Sequence, residues 1–313
     1  MMEKFIDIHA HCIIEKTCPC GLYASATQPL HTPDELIRRY DEIGVEKGCI
    51  LPEANPEALF FTQSNEEVLR IVRQHPDRFA AYCNIDPRNC HNRPNAPFKD
   101  VLAYYKDKGC LGVGEVCANI HITDPRMQNL FAAAEANDMS VTFHLSTYRG
   151  YLYGLVDDAG LPGLELTLQR FPKLKVFGHS QTFWAEIGRY DGPGARFGYP
   201  KGKVVEVPLE GRGNGAYPQG RLVALFRKYP NLYGDLSAGS GANAIMRDRE
   251  FGIRFMNEFQ DRLMFGLDLC AVGMKEPPLA AYLRQLVAEK AISETIFNKI
   301  ARENAIRITG VKA

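Results

Sequence analysis

Phe5-Ile6-Asp7-Ile8-His9-Ala10-His11 opens the chain as a short apolar, β-prone run closed by two histidines spaced by two. In a strand, residues two apart project to the same face. Both imidazoles are therefore expected to point together toward the interior, with Ile6 and Ile8 on the opposite face, where helices pack. Two neutral imidazoles side by side can grip one metal ion. The remainder of the chain decides which kind of sheet carries this strand.

Counting 5–9 as the first, eight β-prone runs can be found, the others being 48–51, 79–85, 111–116, 140–145, 175–179, 232–236 and 263–268. They alternate with helical patterns, the signature of βαβ units and a parallel sheet. Several helices announce their starts: Thr32-Pro33-Asp34-Glu35 has the form of a capping box with proline at its first helical position, and Ser64 and Asp124-Pro125 are further starts. Further helices are expected at 98–105, 163–171, 221–229, 251–259, 279–289 and 293–302. Eight such units can close into a (β/α)8 barrel or lie open as a doubly wound sheet. No Gly-rich fingerprint follows the first strand, which counts against a dinucleotide-binding sheet. The 313 residues exceed the roughly 250 typical of one barrel, so a single α/β TIM-barrel domain over 1–313 with loop insertions is expected. The largest insertion, 181–219, is rich in Gly and Pro and reads as a lid or substrate loop.

In a barrel, strand C-termini converge on one mouth. His9 and His11 stand there on the first strand, Glu115 on the fourth, His144 on the fifth, His179 on the sixth and Asp268 on the eighth. Each has a plain structural alternative: a buried histidine can be a satisfied core residue, Glu115 can pair with a base, and Asp268 can cap a helix. Six metal-competent residues at one end of five strands point instead to a divalent-ion site.

These residues resemble a known pattern. Phe5 to His11 is similar to the HxH first-strand motif of the amidohydrolase superfamily. The order HxH, Glu, His, His, Asp resembles its amidohydrolase-related branch, which contains the aminocarboxymuconate-semialdehyde decarboxylase-like enzymes. Phe265-Gly266-Leu267-Asp268 stands where that family shows an FGSD-like element, and Asn304-Ala305 is similar to a recurrent tail. The resemblance implies that His9, His11, His144 and Asp268 bind the metal, while His179 assists catalysis or binds a second ion. Glu115 is a departure: many two-metal members carry a carboxylated lysine on the fourth strand. Here Glu115 resembles the bridging carboxylate of other two-metal members, or stands behind a single ion. Zinc is the first expectation, with manganese or iron also fitting, and one or two ions.

The expected activity is hydrolysis of a small amide, lactone or ester by metal-activated water, with Asp268 moving the proton and His179 polarising the carbonyl. The alternative is decarboxylation of an unsaturated or aromatic carboxylate. A basic clamp from Arg149, Arg247 or Arg249 would favour it. Trp184 with Phe183, and Tyr148 with Tyr151, are candidates for an aromatic wall. A metal-stabilised binding protein without turnover would need a closed site.

The 37 basic and 37 acidic residues cancel, which points to a small-molecule partner rather than nucleic acid or an anionic membrane. The N-terminus shows no apolar signal region, and no apolar run approaches the length of a membrane span. Nine cysteines, scattered apart from Cys18-Pro19-Cys20, suit free thiols and a cytoplasmic setting. Cys12, Cys18 and Cys20 lack zinc-ribbon spacing. A homodimer is compatible with the sequence.

Overall fold

The strands β1 (Phe5–Ala10), β2 (Val45–Ile50), β3 (Phe79–Ala81), β4 (Gly112–Val116), β5 (Ser140–Ser146), β6 (Val176–His179), β7 (Leu232–Asp235) and β8 (Leu263–Met264) run parallel, each pairing with its neighbours in chain order. The computed structural model describes residues 4–16, 30–58, 62–209 and 218–313. Backbone bonds join the two ladders into a ring. Between β3 and β4, the Gly114 amide donates to the Cys83 carbonyl at 2.9 Å; between β8 and β1, the Ile8 amide donates to Phe265 at 3.2 Å and Asp268 to His9 at 2.9 Å. The result is a (β/α)8 barrel. A further two-residue strand, Leu155–Val156, lies against β5 and was not expected from sequence.

Strand boundaries differ at the ends. β2 starts at Val45, directly after the helix end at Gly44, where it pairs with Phe5, while β3 and β8 stop at Ala81 and Met264, where the chain leaves the ladder. The turn after β8 is fixed locally: Asp268 has φ 52°, and Asp7 Oδ1 accepts from the Leu267 amide at 2.9 Å.

Ile6 and Ile8 correct the expectation for β1. They pack with Cys49, Leu51, Tyr82, Phe177 and Met264 from other strand regions, and with Ala305, Ile308 and Val311 at the end of the chain. They thus form the barrel's floor, while Phe5 and Ala10 join the core shared with the helices. The cause is an irregularity in register: Asp7 pairs with Gly48 but Ala10 with Ile50, so β1 holds one extra residue. Such a bulge re-aims side chains. It turns Asp7 outward to accept from the Tyr40 hydroxyl at 2.7 Å and brings both His9 and His11 to the mouth.

Helix starts follow the capping logic. Glu35 Oε2 accepts from the Thr32 amide at 2.9 Å ahead of helix Pro33–Ile43, and Gly44 ends that helix at φ 88°. Asp124 accepts from Arg126 ahead of Pro125–Ala136. Ser64 Oγ accepts from the Glu67 amide at 3.1 Å at the start of Asn65–Gln74. Ser64→Ala is expected to cost about 1 kcal/mol, read as a lower urea midpoint with an unchanged slope.

The long 181–219 segment is more structured than a loop. It contains the short helices Gln181–Ala185 and Pro193–Phe197, and it is tied down by the buried Glu186 carboxylate. Residues 210–217 of that expectation lie outside the described residues, as do Cys18 and Cys20; Cys12 is a buried free thiol. The chain ends with Glu294–Asn298, a π-helical turn Lys299–Glu303, and Asn304–Thr309, where one helix was expected. Asn304 Nδ2 ties this end to the barrel by donating to Leu263 O at 2.8 Å. Among the described residues no helix is long and apolar enough to cross a membrane.

Candidate metal centre

Six sequence candidates meet at the mouth, and Glu115 stands at their centre. Its Oε2 lies 3.5 Å from His9 Nε2 and 3.7 Å from His11 Nε2. Its Oε1 lies 2.9 Å from His144 Nδ1 and 3.6 Å from His179 Nε2. Asp268 faces Glu115 across the same space, with Oδ1 3.5 Å from His11 Nε2 and Oδ2 3.6 Å from His179 Nε2. The sets His9-Glu115-His179 and His9-His11-Asp268 each bring candidate ligand atoms within 4.8 Å of one another. His144 touches this cluster through Glu115.

The outer ring nitrogens set which atoms face inward. His9 Nδ1 donates to Asp235 Oδ2 at 2.6 Å, and His11 Nδ1 donates to the Leu51 carbonyl at 3.0 Å. His179 Nδ1 lies 3.0 Å from Ser237 Oγ and 3.5 Å from Asp235 Oδ2. A hydrogen held on Nδ1 leaves Nε2 with its lone pair. Three imidazole lone pairs and two carboxylates therefore converge, with the His9 and His11 Nε2 atoms only 3.0 Å apart. Acceptors alone repel at such distances. A cation between them removes the conflict, and imidazole with carboxylate is a donor set suited to Zn2+, Mn2+ or Fe2+.

The titration shifts express the same demand for positive charge. Burial disfavours a charged His9, yet the carboxylates of Asp235, Asp268 and Glu115 outweigh it and hold the ring well above its usual range. Burial and then the charge on His9 push His11 down to about 4 and His179 down to about 3. Burial opposes ionisation of Glu115, but His9 and the hydrogen bond from His144 hold it well below the usual carboxylate range. Burial raises Asp268 to about 8, against the pull of His9 and with the charges of Glu115 and Asp235 adding to it.

Two members were missed in the sequence. Asp235 ends β7 as Asp268 follows β8, and that position was the available signal. Glu53, two residues beyond Leu51, is 1% exposed, and its Oε1 lies 3.2 Å from His11 Nδ1. Neither stands in a motif such as the Phe265-Gly266-Leu267-Asp268 element that marks Asp268.

A family model described as Amidohydrolase matches residues 6–311. The chain belongs to this amidohydrolase family. No curated protein matches its sequence. Among solved structures, this amidohydrolase-family chain resembles a probable 2-pyrone-4,6-dicarboxylic acid hydrolase from Acinetobacter baumannii, determined with citric acid bound. Identity is 15%, over 98% of this chain and 100% of that one, with a TM-score of 0.57. A 2,6-dihydroxybenzoate decarboxylase from Rhizobium is 15% identical over 99% of both chains, with a TM-score of 0.56. A 5-carboxyvanillate decarboxylase from Novosphingobium aromaticivorans, with bound manganese, is 14% identical over 88% of this chain and 80% of that one, with a TM-score of 0.52. At these identities the likeness establishes a shared fold.

Of the second group of candidates, Tyr151 reaches the cavity beside the site, while Trp184 and the three arginines do not. Trp184, expected as a wall, is 2% exposed and packs on Phe183 and Phe255; its indole donates to the Asp235 carbonyl at 2.9 Å. Its place in a short helix turns the ring into the core, beneath the residue that orients His9. Arg249 pairs with Glu289 on the surface, and Arg149 is exposed. Arg247 is half-buried at the end of helix Ala238–Met246, and its Nε and Nη2 have no hydrogen-bond partner among the described residues. None of the three arginines lines the cavity of about 450 Å³ that opens beside His144. Tyr151, Tyr153 and Phe197 line that cavity together with Gln181, Thr182 and Glu57. The long 181–219 segment thus supplies one wall of it.

Proposed function

We propose that this chain is a metal-dependent hydrolase acting on a small, uncharged amide, lactone or ester, with a site in which Glu115 and the histidines around it would hold two divalent ions. The carrying observation is that the two oxygens of Glu115 divide between two pairs of histidines, His9 with His11 and His144 with His179. A carboxylate serving one ion has no need to face four imidazoles.

Bound here, such ions supply Lewis acidity and bring the pKa of a contacting water toward neutrality. The chain's own groups do the rest. His9, His11 and Asp268 would hold one ion, and His179 would hold the other, joined by His144 once its Nδ1 gives up its hydrogen bond with Glu115. Asp235 keeps the His9 lone pair aimed inward through its 2.6 Å hydrogen bond. Asp268 takes the proton of the attacking water and returns it to the leaving group. Its side chain is 16% exposed, against 5% for Glu115 and 0% for Asp235, so it is the carboxylate that substrate can reach.

The lining favours hydrolysis over decarboxylation. No Arg or Lys stands among the cavity's lining residues in the described chain, and its one carboxylate, Glu57, is held by the Arg88 guanidinium at 2.5 and 2.8 Å. A substrate carboxylate would find no basic clamp there.

Metal content per chain tests this reading, on protein purified without chelator. The expected result is two ions, falling to one in Glu115→Gln. One ion in both proteins would place Glu115 behind a single-metal site and restore the decarboxylase alternative. No ion after reconstitution with zinc or manganese would end the metal reading altogether.

A further inference from the structure

Glu53 is a buried acid at the mouth with no part in the two ligand sets. Its carboxylate is 1% exposed, and neither oxygen accepts a hydrogen bond. The 3.2 Å approach to His11 Nδ1 does not supply one, because that hydrogen is directed to the Leu51 carbonyl. Buried polar groups are nearly always paired, and a carboxylate sealed from water without donors is among the costliest to leave alone. A candidate ligand atom of Glu53 nevertheless lies within 4.8 Å of those of His11 and Glu115.

The surroundings hold it in that position. Asn84, itself 3% exposed, donates from one amide group to Pro52 O at 2.9 Å and to Glu115 O at 2.5 Å. The Asn65 side chain in turn holds Asn84, accepting from its amide at 2.7 Å and donating to its carbonyl at 3.1 Å. The Gln63 amide donates to Glu53 O at 2.8 Å. The ends of β2 and β4 are thereby locked together, with Glu53 and Glu115 side by side. A rigid shell around an unpaired carboxylate is how a ligand is pre-organised.

We propose that Glu53 is a further carboxylate of the metal centre, binding the divalent ion that His11 and Glu115 share. The proposal rests on the reading of this cluster as a divalent-ion site. It gives that centre a ligand from the end of β2, a strand that otherwise contributes none.

The test compares the full chain with Glu53→Gln, each stripped by chelator and titrated with Mn2+ by calorimetry, with melting temperature recorded before and after loading. Gln keeps the shape and removes the charge. Affinity for one of the ions is expected to fall about 10- to 100-fold, the range seen when groups around a metal are removed. The rise in melting temperature on loading is expected to shrink with it. Wild-type affinity and stoichiometry in Glu53→Gln, together with a higher melting temperature of the metal-free variant, would overturn the proposal and leave Glu53 a buried acid. Should the Gln chain not fold, Glu53→Asp, which keeps the charge but loses a methylene of reach, carries the same comparison. Failure of the wild-type chain to take up Mn2+ or Zn2+ would instead bring down the metal reading itself.

Discussion

Replacing Asp268 with Asn is expected to lower kcat by about 10²- to 10⁴-fold, the usual contribution of a positioned proton carrier, with little change in KM. The substitution keeps a carbonyl oxygen where Oδ1 or Oδ2 now faces His11 and His179. What it removes is the ability to take up and release a proton at that point. Neither neighbouring carboxylate can stand in: Asp235 is sealed off and committed to His9, and Glu115 lies deeper, between the histidine pairs. Ion content must be measured on the same sample, because a loss of metal would mimic the loss of a proton carrier. A kcat within about threefold of wild type, at full metal content, would remove Asp268 from the proton path.

The barrel was readable because its evidence is repeated. Eight β-prone runs, punctuated by starts such as Ser64 and Asp124, leave few other arrangements, and the histidines cluster at strand ends where a barrel gathers side chains. The structure brings His9, His11, Glu115, His144, His179 and Asp268 to one mouth, as their strand-end positions lead one to expect. Three features were not readable, each for its own reason. The faces of Ile6 and Ile8 depend on one extra residue in β1, and a bulge leaves no mark in hydrophobic alternation. The role of Trp184 depends on which way a five-residue helix turns its ring, and adjacency to His179 says nothing of that. Glu53 gains its importance from having no partner, a property of the packed interior. Asp235 is different: it obeys the same strand-end rule as Asp268, and its position at the end of β7 is its whole signal in the sequence.

Glu186→Ala is expected to destabilise the protein by about 3–5 kcal/mol and to raise KM more than it lowers kcat. Glu186 is wholly buried, and four donors converge on it. Oε1 accepts from the Gly160 amide at 3.0 Å, the Tyr190 hydroxyl at 2.9 Å and Arg196 Nε at 2.9 Å; Oε2 accepts from the Gly220 amide at 2.6 Å. One carboxylate therefore closes the long segment after β6 onto itself and onto the chain beyond β5. Without it, the Arg196 guanidinium keeps only the hydrogen bonds to the carbonyls of Asp157 and Asp158, at 2.9 and 2.8 Å, and loses the carboxylate with which it is paired. The neighbouring Phe197 lines the cavity, so a segment freed at Arg196 loses its hold on substrate first. The ligand-bearing end of β6 has separate support: Ser180 Oγ accepts from the Leu145 amide at 3.2 Å and the Phe183 amide at 3.1 Å, independently of Glu186. Metal content should thus survive while protease cleavage within 186–220 accelerates. Urea unfolding, limited proteolysis and steady-state kinetics on one preparation decide the matter. A loss below about 1 kcal/mol with KM unchanged would mean that this segment is held by its apolar contacts, with Glu186 only filling space.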